Sequence, residues 1–283
     1  MPATPGKRMR LLGLHGFGSS AGILKNQLSA IIRETDKSYE YVCVDGPVEA
    51  HRGLGLNELQ PGPYYSHTAG YTPSELADAA EYIRGHIAQE GPFDGAPGFS
   101  QGAAQILAYL LQEQAYRDIE GSEDSGIRFA IFFSSTAPCA NDHECYLPLL
   151  HSLSSTAVHE NTLSIEQRTQ VDCTLRSFEA AKRIGVLQPG YDANFFEDDE
   201  KIRCVKSMPR ILHPALVLQR LKIPTVHVAV EKDFGFMQDM SNLAAGMCEP
   251  ALRKVLKHSG GHSIPTKSFE VKKVVAAMDW ALG

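Results

Sequence analysis

Pro92-Phe93-Asp94-Gly95-Ala96-Pro97-Gly98-Phe99-Ser100-Gln101-Gly102-Ala103 is the stretch on which the fold turns. It contains the pentapeptide Gly98-Phe99-Ser100-Gln101-Gly102, a G-x-S-x-G pattern, and runs straight into the Ala-rich apolar segment from Ala103 to Leu111. Flanking glycines let a chain reverse tightly between a strand and a helix, which holds the serine hydroxyl out at the helix N-terminus where a carbonyl carbon can reach it. The same five residues would also serve a glycine-flanked helix start with Ser100 as a simple N-cap. What separates the two readings is whether Ser100 has partners.

A serine nucleophile needs a base, an acid behind the base, and donors for the developing oxyanion. In this strand-to-helix setting the acid and base follow the serine along the chain. The base candidate is His262, in the Gly-rich segment His258-Ser259-Gly260-Gly261-His262-Ser263-Ile264-Pro265. The acid candidate is Asp233, just past the β-like run Ile223-Pro224-Thr225-Val226-His227-Val228-Ala229-Val230, with Asp239 as the alternative. A carboxylate beyond a strand end can accept the imidazole Nδ1 proton and so turn Nε2 toward the serine. Asp239 is better suited to capping the helix that follows.

The donors are expected from main-chain amides. Met9-Arg10-Leu11-Leu12-Gly13-Leu14 reads as a buried parallel strand and leads into His15-Gly16-Phe17-Gly18-Ser19-Ser20. The N–H groups of Phe17 and Gln101 are the expected oxyanion hole, and His15 is expected to hydrogen-bond structurally rather than to react. His51, Tyr65 and His67, in the loop between Val44 and Pro73, lie where substrate could pass, but loop residues of these types are more often solvated or bonded to backbone.

Strand-like and helix-like segments alternate: Met9 to Leu14 then Ile23 to Ile32, Tyr39 to Val44 then Ser74 to Ile87, Phe93 to Phe99 then Ala103 to Leu111. Such alternation predicts an α/β fold, a mostly parallel sheet with helices on both faces. Thr72-Pro73-Ser74-Glu75 carries a helix start, with Thr72 as N-cap, Pro73 at N1 and Glu75 closing a capping box. Arg128 to Ser134, Ile223 to Val230 and Ala251 to Leu256 continue the pattern, and Phe269 to Leu282 is the last helix. Residues 138 to 222 read as helical or irregular and interrupt it, which predicts a lid inserted above the strand ends within a single domain spanning 1–283. Leu147, Leu149, Leu150, Leu153, Leu175, Phe178, Tyr191, Phe195, Phe196, Ile211, Leu212, Leu216, Val217 and Leu218 in that segment could line an apolar channel suited to an acyl chain.

Composition narrows the function further. Of 283 residues, 43% are hydrophobic and 21% charged, the balance of an ordinary globular chain. A net charge of −6 without any Lys/Arg block argues against nucleic acid or an anionic membrane as partner. The polar first ten residues and the lack of an apolar run of about 18 lead to the expectation of a cytoplasmic protein without a membrane span. Six cysteines show neither C-x-x-C spacing nor a cluster with histidine, so neither a metal nor a disulfide framework is expected. The chemistry inferred for Ser100 calls for no cofactor.

Together, Leu14-His15-Gly16, Gly62-Pro63-Tyr64-Tyr65, the Pro92 to Ala103 stretch, Ile223-Pro224-Thr225 and Gly260-Gly261-His262 resemble the fungal serine hydrolase family, which includes the ovarian-cancer-associated serine hydrolase and the thioesterase that releases the lovastatin polyketide. The likeness covers most of the chain outside 138 to 222. It implies the α/β-hydrolase fold and a catalytic triad of Ser100, Asp233 and His262. It also implies cleavage of an acyl ester or thioester, with an acyl substrate in some members presented by an acyl carrier protein of a polyketide synthase. Two positions depart from the family pattern. Pro97 replaces an aliphatic residue in the strand before the elbow, which predicts broken pairing near Phe99, and Val230 stands where glycine is frequent before the acid.

Overall fold

The computed structural model describes residues 8–35, 39–121, 126–148, 208–231, 233 and 235–283, with short stretches between 164 and 177. At its centre is a six-stranded parallel sheet in the order β10-β9-β6-β5-β1-β2. The strands are β1 (Met9–Leu14), β2 (Tyr39–Val44), β5 (Gly95–Phe99), β6 (Phe129–Phe133), β9 (Thr225–Val230) and β10 (Arg253–His258). β5 and β6 are buried at every position, as strands covered on both faces must be.

Alternate residues of these strands feed two cores. Leu12, Leu14, Ala96, Ala130 and Phe132 pack with α3 (Pro73–Glu90) and α4 (Gln101–Glu120) on one face. Leu11, Phe99, Phe129, Ile131 and Phe133 pack on the other, against α1 (Ala21–Gln27), α2 (Ser29–Thr35) and α6 (Ser268–Leu282). Burying a Leu or Phe side chain is worth roughly 1.5–3 kcal/mol, so the repeated apolar pairs of the central strands hold both helix layers to the sheet.

The capping box at Thr72 forms as its sequence implies: Thr72 Oγ1 accepts the Glu75 N–H at 3.3 Å and the Glu75 carboxylate accepts the Thr72 N–H at 3.0 Å. The segment read as one helix from Ile23 to Ile32 is divided at Leu28 into α1 and α2. Pro97 does not break β5 from β6, where residues 95–99 pair in continuous register with 129–133. The interruption falls on the β1 side, where Gly95 and Gly98 pair with Leu11 and Leu14 but Ala96 and Pro97 do not. The missing proline donor is therefore absorbed away from Phe99, correcting the expectation drawn from sequence.

Within 138 to 222 the described residues include a short antiparallel ribbon, β7 (Cys139–Ala140) with β8 (Arg210–Ile211), where no strand was expected. It draws the two ends of the insertion together. Leu149, Leu150, Leu153, Leu175, Phe178, Tyr191, Phe195 and Phe196 lie outside the described residues or their described side chains. Leu218 is 95% exposed and so lines no channel, whereas Ile211 and Leu212 are buried. Among the described residues no helix is long and apolar enough to cross a membrane.

Candidate active site

After β1 the chain moves outward to β2, and after β5 it moves the opposite way to β6, so β1 and β5 flank the point where the winding reverses. In open parallel sheets, ligands bind in the crevice outside the strand ends at such a point. His15 to Ser19 and Ser100 emerge there.

Ser100 carries φ 52° and ψ −113°, a conformation that side-chain-bearing residues rarely adopt. It is held by its own N–H, which donates to Phe133 O at 2.9 Å, and by its carbonyl, which accepts from Ala104 N at 3.2 Å and Thr136 N at 3.3 Å. Gly102 is required for this turn: a Cβ there would stand 2.3 Å from Leu14 O. The elbow is thereby pressed directly onto the end of β1.

His262, in the loop after β10, has Nε2 3.2 Å from Ser100 Oγ and Nδ1 3.0 Å from Asp233 Oδ2. Its ring packs on Phe99 at a centroid distance of 5.0 Å. The Asp233 side chain is 3% exposed and that of His262 10%, so the pair is shielded from water while Nε2 still faces the serine. With Asp233 accepting the Nδ1 proton, Nε2 of the neutral ring is the acceptor. Asp239 lies exposed inside α5 (Gly235–Gly246), so it neither caps that helix's start nor takes the place of Asp233 at the imidazole.

His15 is buried and bonded at both ring nitrogens. Its Nε2 accepts Gly46 N–H at 3.0 Å, which leaves Nδ1 as the donor to Gly16 O at 2.7 Å. Burial pushes its pKa down, consistent with this neutral form. The Gly16 carbonyl and the Phe17 N–H belong to one planar peptide, so holding the first aims the second. His67 stacks on His15 at 4.3 Å and is driven further toward neutrality by its complete burial. His51 meets the Phe17 ring edge-on at 5.1 Å, and Tyr65 forms part of β4 (Tyr65–Ser66), which pairs with β3 (Val48–Glu49). These three loop residues frame the site without lining it.

The pocket over Ser100 has an open volume of about 810 Å³, its mouth included. Gly16, Phe17, Phe99, Ser100, Gln101 and His262 form the end around the serine, and Leu54, Ala137, Cys139, Ile211, Phe236, Met237 and Met240 supply apolar wall. Tyr71, Thr136 and Ser177 add hydroxyls. Among the described lining residues there is no Lys, Arg, Asp or Glu. Burial raises Tyr71 to about 12 and pushes the Cys139 thiol upward, so both remain uncharged at neutral pH. A wall of this kind suits a neutral, largely apolar group.

Sequence reasoning missed Leu54, Tyr71, Phe236, Met237 and Met240. The i, i+3 spacing of Met237 and Met240 just after Asp233 was a usable signal, because one helix face beginning beside the acid must look over the site.

The chain matches the serine hydrolase (FSH1) family over residues 3–274. It is similar to the esterase alnB of Emericella nidulans, with 35% identity over 287 residues covering 96% of each chain. It is also similar to the serine hydrolase cnsH of Penicillium expansum, with 31% identity over 81% of this chain and 93% of that one. Among solved structures, the meta-cleavage product hydrolase of Pseudomonas fluorescens IP01 shares the fold at a TM-score of 0.50, with 15% identity over 98% of this chain and 92% of the other.

Proposed function

The chain belongs to the FSH1 serine hydrolase family, and from that premise we propose that it cleaves an acyl ester or thioester through Ser100, His262 and Asp233 by way of an acyl-enzyme. The observation that carries this reading is the single imidazole spanning Ser100 Oγ at 3.2 Å and Asp233 Oδ2 at 3.0 Å beneath a pocket whose described lining is apolar and free of Lys, Arg, Asp and Glu. Ser100 Oγ attacks the acyl carbonyl while His262 Nε2 takes its proton, and Asp233 stabilises the imidazolium through Nδ1–H. The N–H groups of Phe17 and Gln101 receive the oxyanion. His262 then protonates the departing alcohol or thiol, and water repeats the sequence to free the acid.

The finer reading is that the leaving group is the thiol of an acyl carrier protein and that the product is a polyketide or related acyl chain. Its support is the neutral, apolar wall, which suits a long acyl group better than a sugar or peptide. Residues 138 to 222 act as a lid in this reading. Cys139, Ser177 and Ile211, all from that segment, line the pocket, and the β7–β8 ribbon gives the insertion a narrow neck beside Ser100.

Ser100→Ala is the direct test. Turnover of p-nitrophenyl butyrate and of an acyl thioester should fall by about 10³-fold or more, and a fluorophosphonate adduct should appear on the wild-type Ser100 peptide alone. Retention of activity within a few fold would end the proposal. Free acid as product identifies hydrolysis, whereas a ring identifies capture by an internal nucleophile of the substrate.

A further inference from the structure

The two amides assigned to the oxyanion come from separate parts of the chain, Phe17 after β1 and Gln101 after β5, and the sheet ladder between those strands is interrupted at Ala96 and Pro97. A third segment bridges them. The backbone of Tyr65 grips the first loop on both sides: its carbonyl accepts Gly18 N–H at 2.9 Å, and its own N–H donates to Ser19 O at 2.7 Å. The next two residues grip the second. Ser66 Oγ accepts an N–H of the Gln101 carboxamide at 3.0 Å, and His67 N–H donates to Gln101 Oε1 at 3.1 Å.

Gln101 is 3% exposed, and the remaining N–H of its carboxamide reaches Tyr71 OH at 3.4 Å. Ser66 is 0% exposed and donates its own proton to Thr68 O at 2.7 Å, which leaves its two lone pairs to accept the Thr68 N–H at 3.3 Å and the Gln101 carboxamide N–H. A glutamine on an α-helix has no need of such an arrangement for helix formation. The carboxamide oxygen and one of its N–H groups are instead directed at Ser66 and His67, at the end of one two-stranded ribbon, and that ribbon also holds the opposite donor loop.

We propose that Tyr65-Ser66-His67 is a brace that sets the separation of the two oxyanion donors, and that the Gln101 carboxamide is the positioning residue through which it holds the second. The inference rests on the hydrolase reading above and adds to it a role for a side chain whose backbone alone was expected to act. A tetrahedral oxyanion sits closer to both amides than the ground-state carbonyl does, so a loosened brace penalises the transition state selectively.

Gln101→Met keeps the chain length and removes the carboxamide bonds; Ser66→Ala removes one partner from the other side. Both variants, with Ser100→Ala as control, are assayed on p-nitrophenyl butyrate together with inhibition by butaneboronic acid, whose serine adduct mimics the tetrahedral intermediate. The expected result is a fall in kcat of roughly tenfold or more, below the 10²–10³ for outright loss of a donor, with KM within about threefold and the boronate inhibition constant raised in step with the loss of kcat. A folded variant with kcat within twofold of wild type overturns the brace, and so does a fall in kcat that leaves boronate inhibition unchanged. If Gln101→Met does not fold, Ser66→Ala decides by the same two criteria. Failure of the brace leaves Ser100→Ala inactive, whereas failure of the hydrolase reading leaves Ser100→Ala active, so the two are told apart.

Discussion

Asp233 Oδ2 and His262 Nδ1 stand 3.0 Å apart, one side chain from the turn after β9 and the other from the loop after β10. Adjacent parallel strands β9 and β10 deliver their C-terminal loops side by side, and so the carboxylate and the imidazole meet without any local sequence link. Asp233→Asn keeps the shape but offers an N–H to Nδ1, which favours the wrong tautomer. We expect kcat to fall roughly 10³- to 10⁴-fold with little change in KM, read from steady-state hydrolysis of p-nitrophenyl butyrate; a loss under tenfold would rule out this role for Asp233.

His227 is fully buried in β9 beside Phe132, and its burial pulls it down to about 3 from an ordinary 6.5. Its folded pKa therefore lies below its unfolded one, so the unfolded chain takes up the proton first. Stability is fully present above about pH 6.5 and is lost progressively as pH falls from there toward 3. At pH 5 this one residue costs about 2 kcal/mol relative to neutral pH. Chemical denaturation at pH 7.5 and 5.0 should show His227→Leu losing that much less on acidification than wild type; equal pH dependence would refute the assignment.

Gly53 lies against the loop carrying Phe17 so closely that a Cβ would stand 2.0 Å from Phe17 O. Its N–H donates to Gly18 O at 2.8 Å, which keeps the two segments in contact. Gly53→Ala must push the Phe17 loop aside, and strain of this kind costs about 1–3 kcal/mol. Thermal melting should register the destabilisation, and kcat should fall more than KM rises. An unchanged melting temperature with unchanged kcat would show that this contact is slack.

Ile211 is buried on β8 and lines the pocket, which places it to limit acyl length. Ile211→Trp fills part of that space. Hydrolysis of p-nitrophenyl esters from acetate to decanoate should shift its optimum toward shorter acyl groups, each excluded methylene being worth about 0.8 kcal/mol, while the acetate ester is turned over within about threefold of wild type. An unshifted optimum would mean that acyl chains take another direction out of the site.

The elbow at Ser100, the helix start at Thr72 and the alternation of strands and helices were legible in the sequence because each is a short-range matter of turn chemistry and apolar spacing. The β7–β8 ribbon was not, since two residues on each side carry no periodicity and are paired only across the insertion. Pro97 misled for a related reason. A proline announces a missing donor but not which neighbouring strand will do without it, and only the assembled ladder puts the gap on the β1 side.

Chain order and residue type alone determined the kind of chemistry available here: a serine on a tight turn, a carboxylate after a strand, and a histidine in a glycine-rich loop, in that sequence. Tertiary structure decided the rest, including the placing of Asp233 rather than Asp239 against His262, the grip of Tyr65-Ser66-His67 on the Phe17 loop and on Gln101, and the walls contributed by Leu54, Tyr71, Met237 and Met240. Backbone preferences act over a few residues and can be read along the chain. The distances that align a proton transfer depend on how loops from separate strands converge once the sheet has closed its two cores.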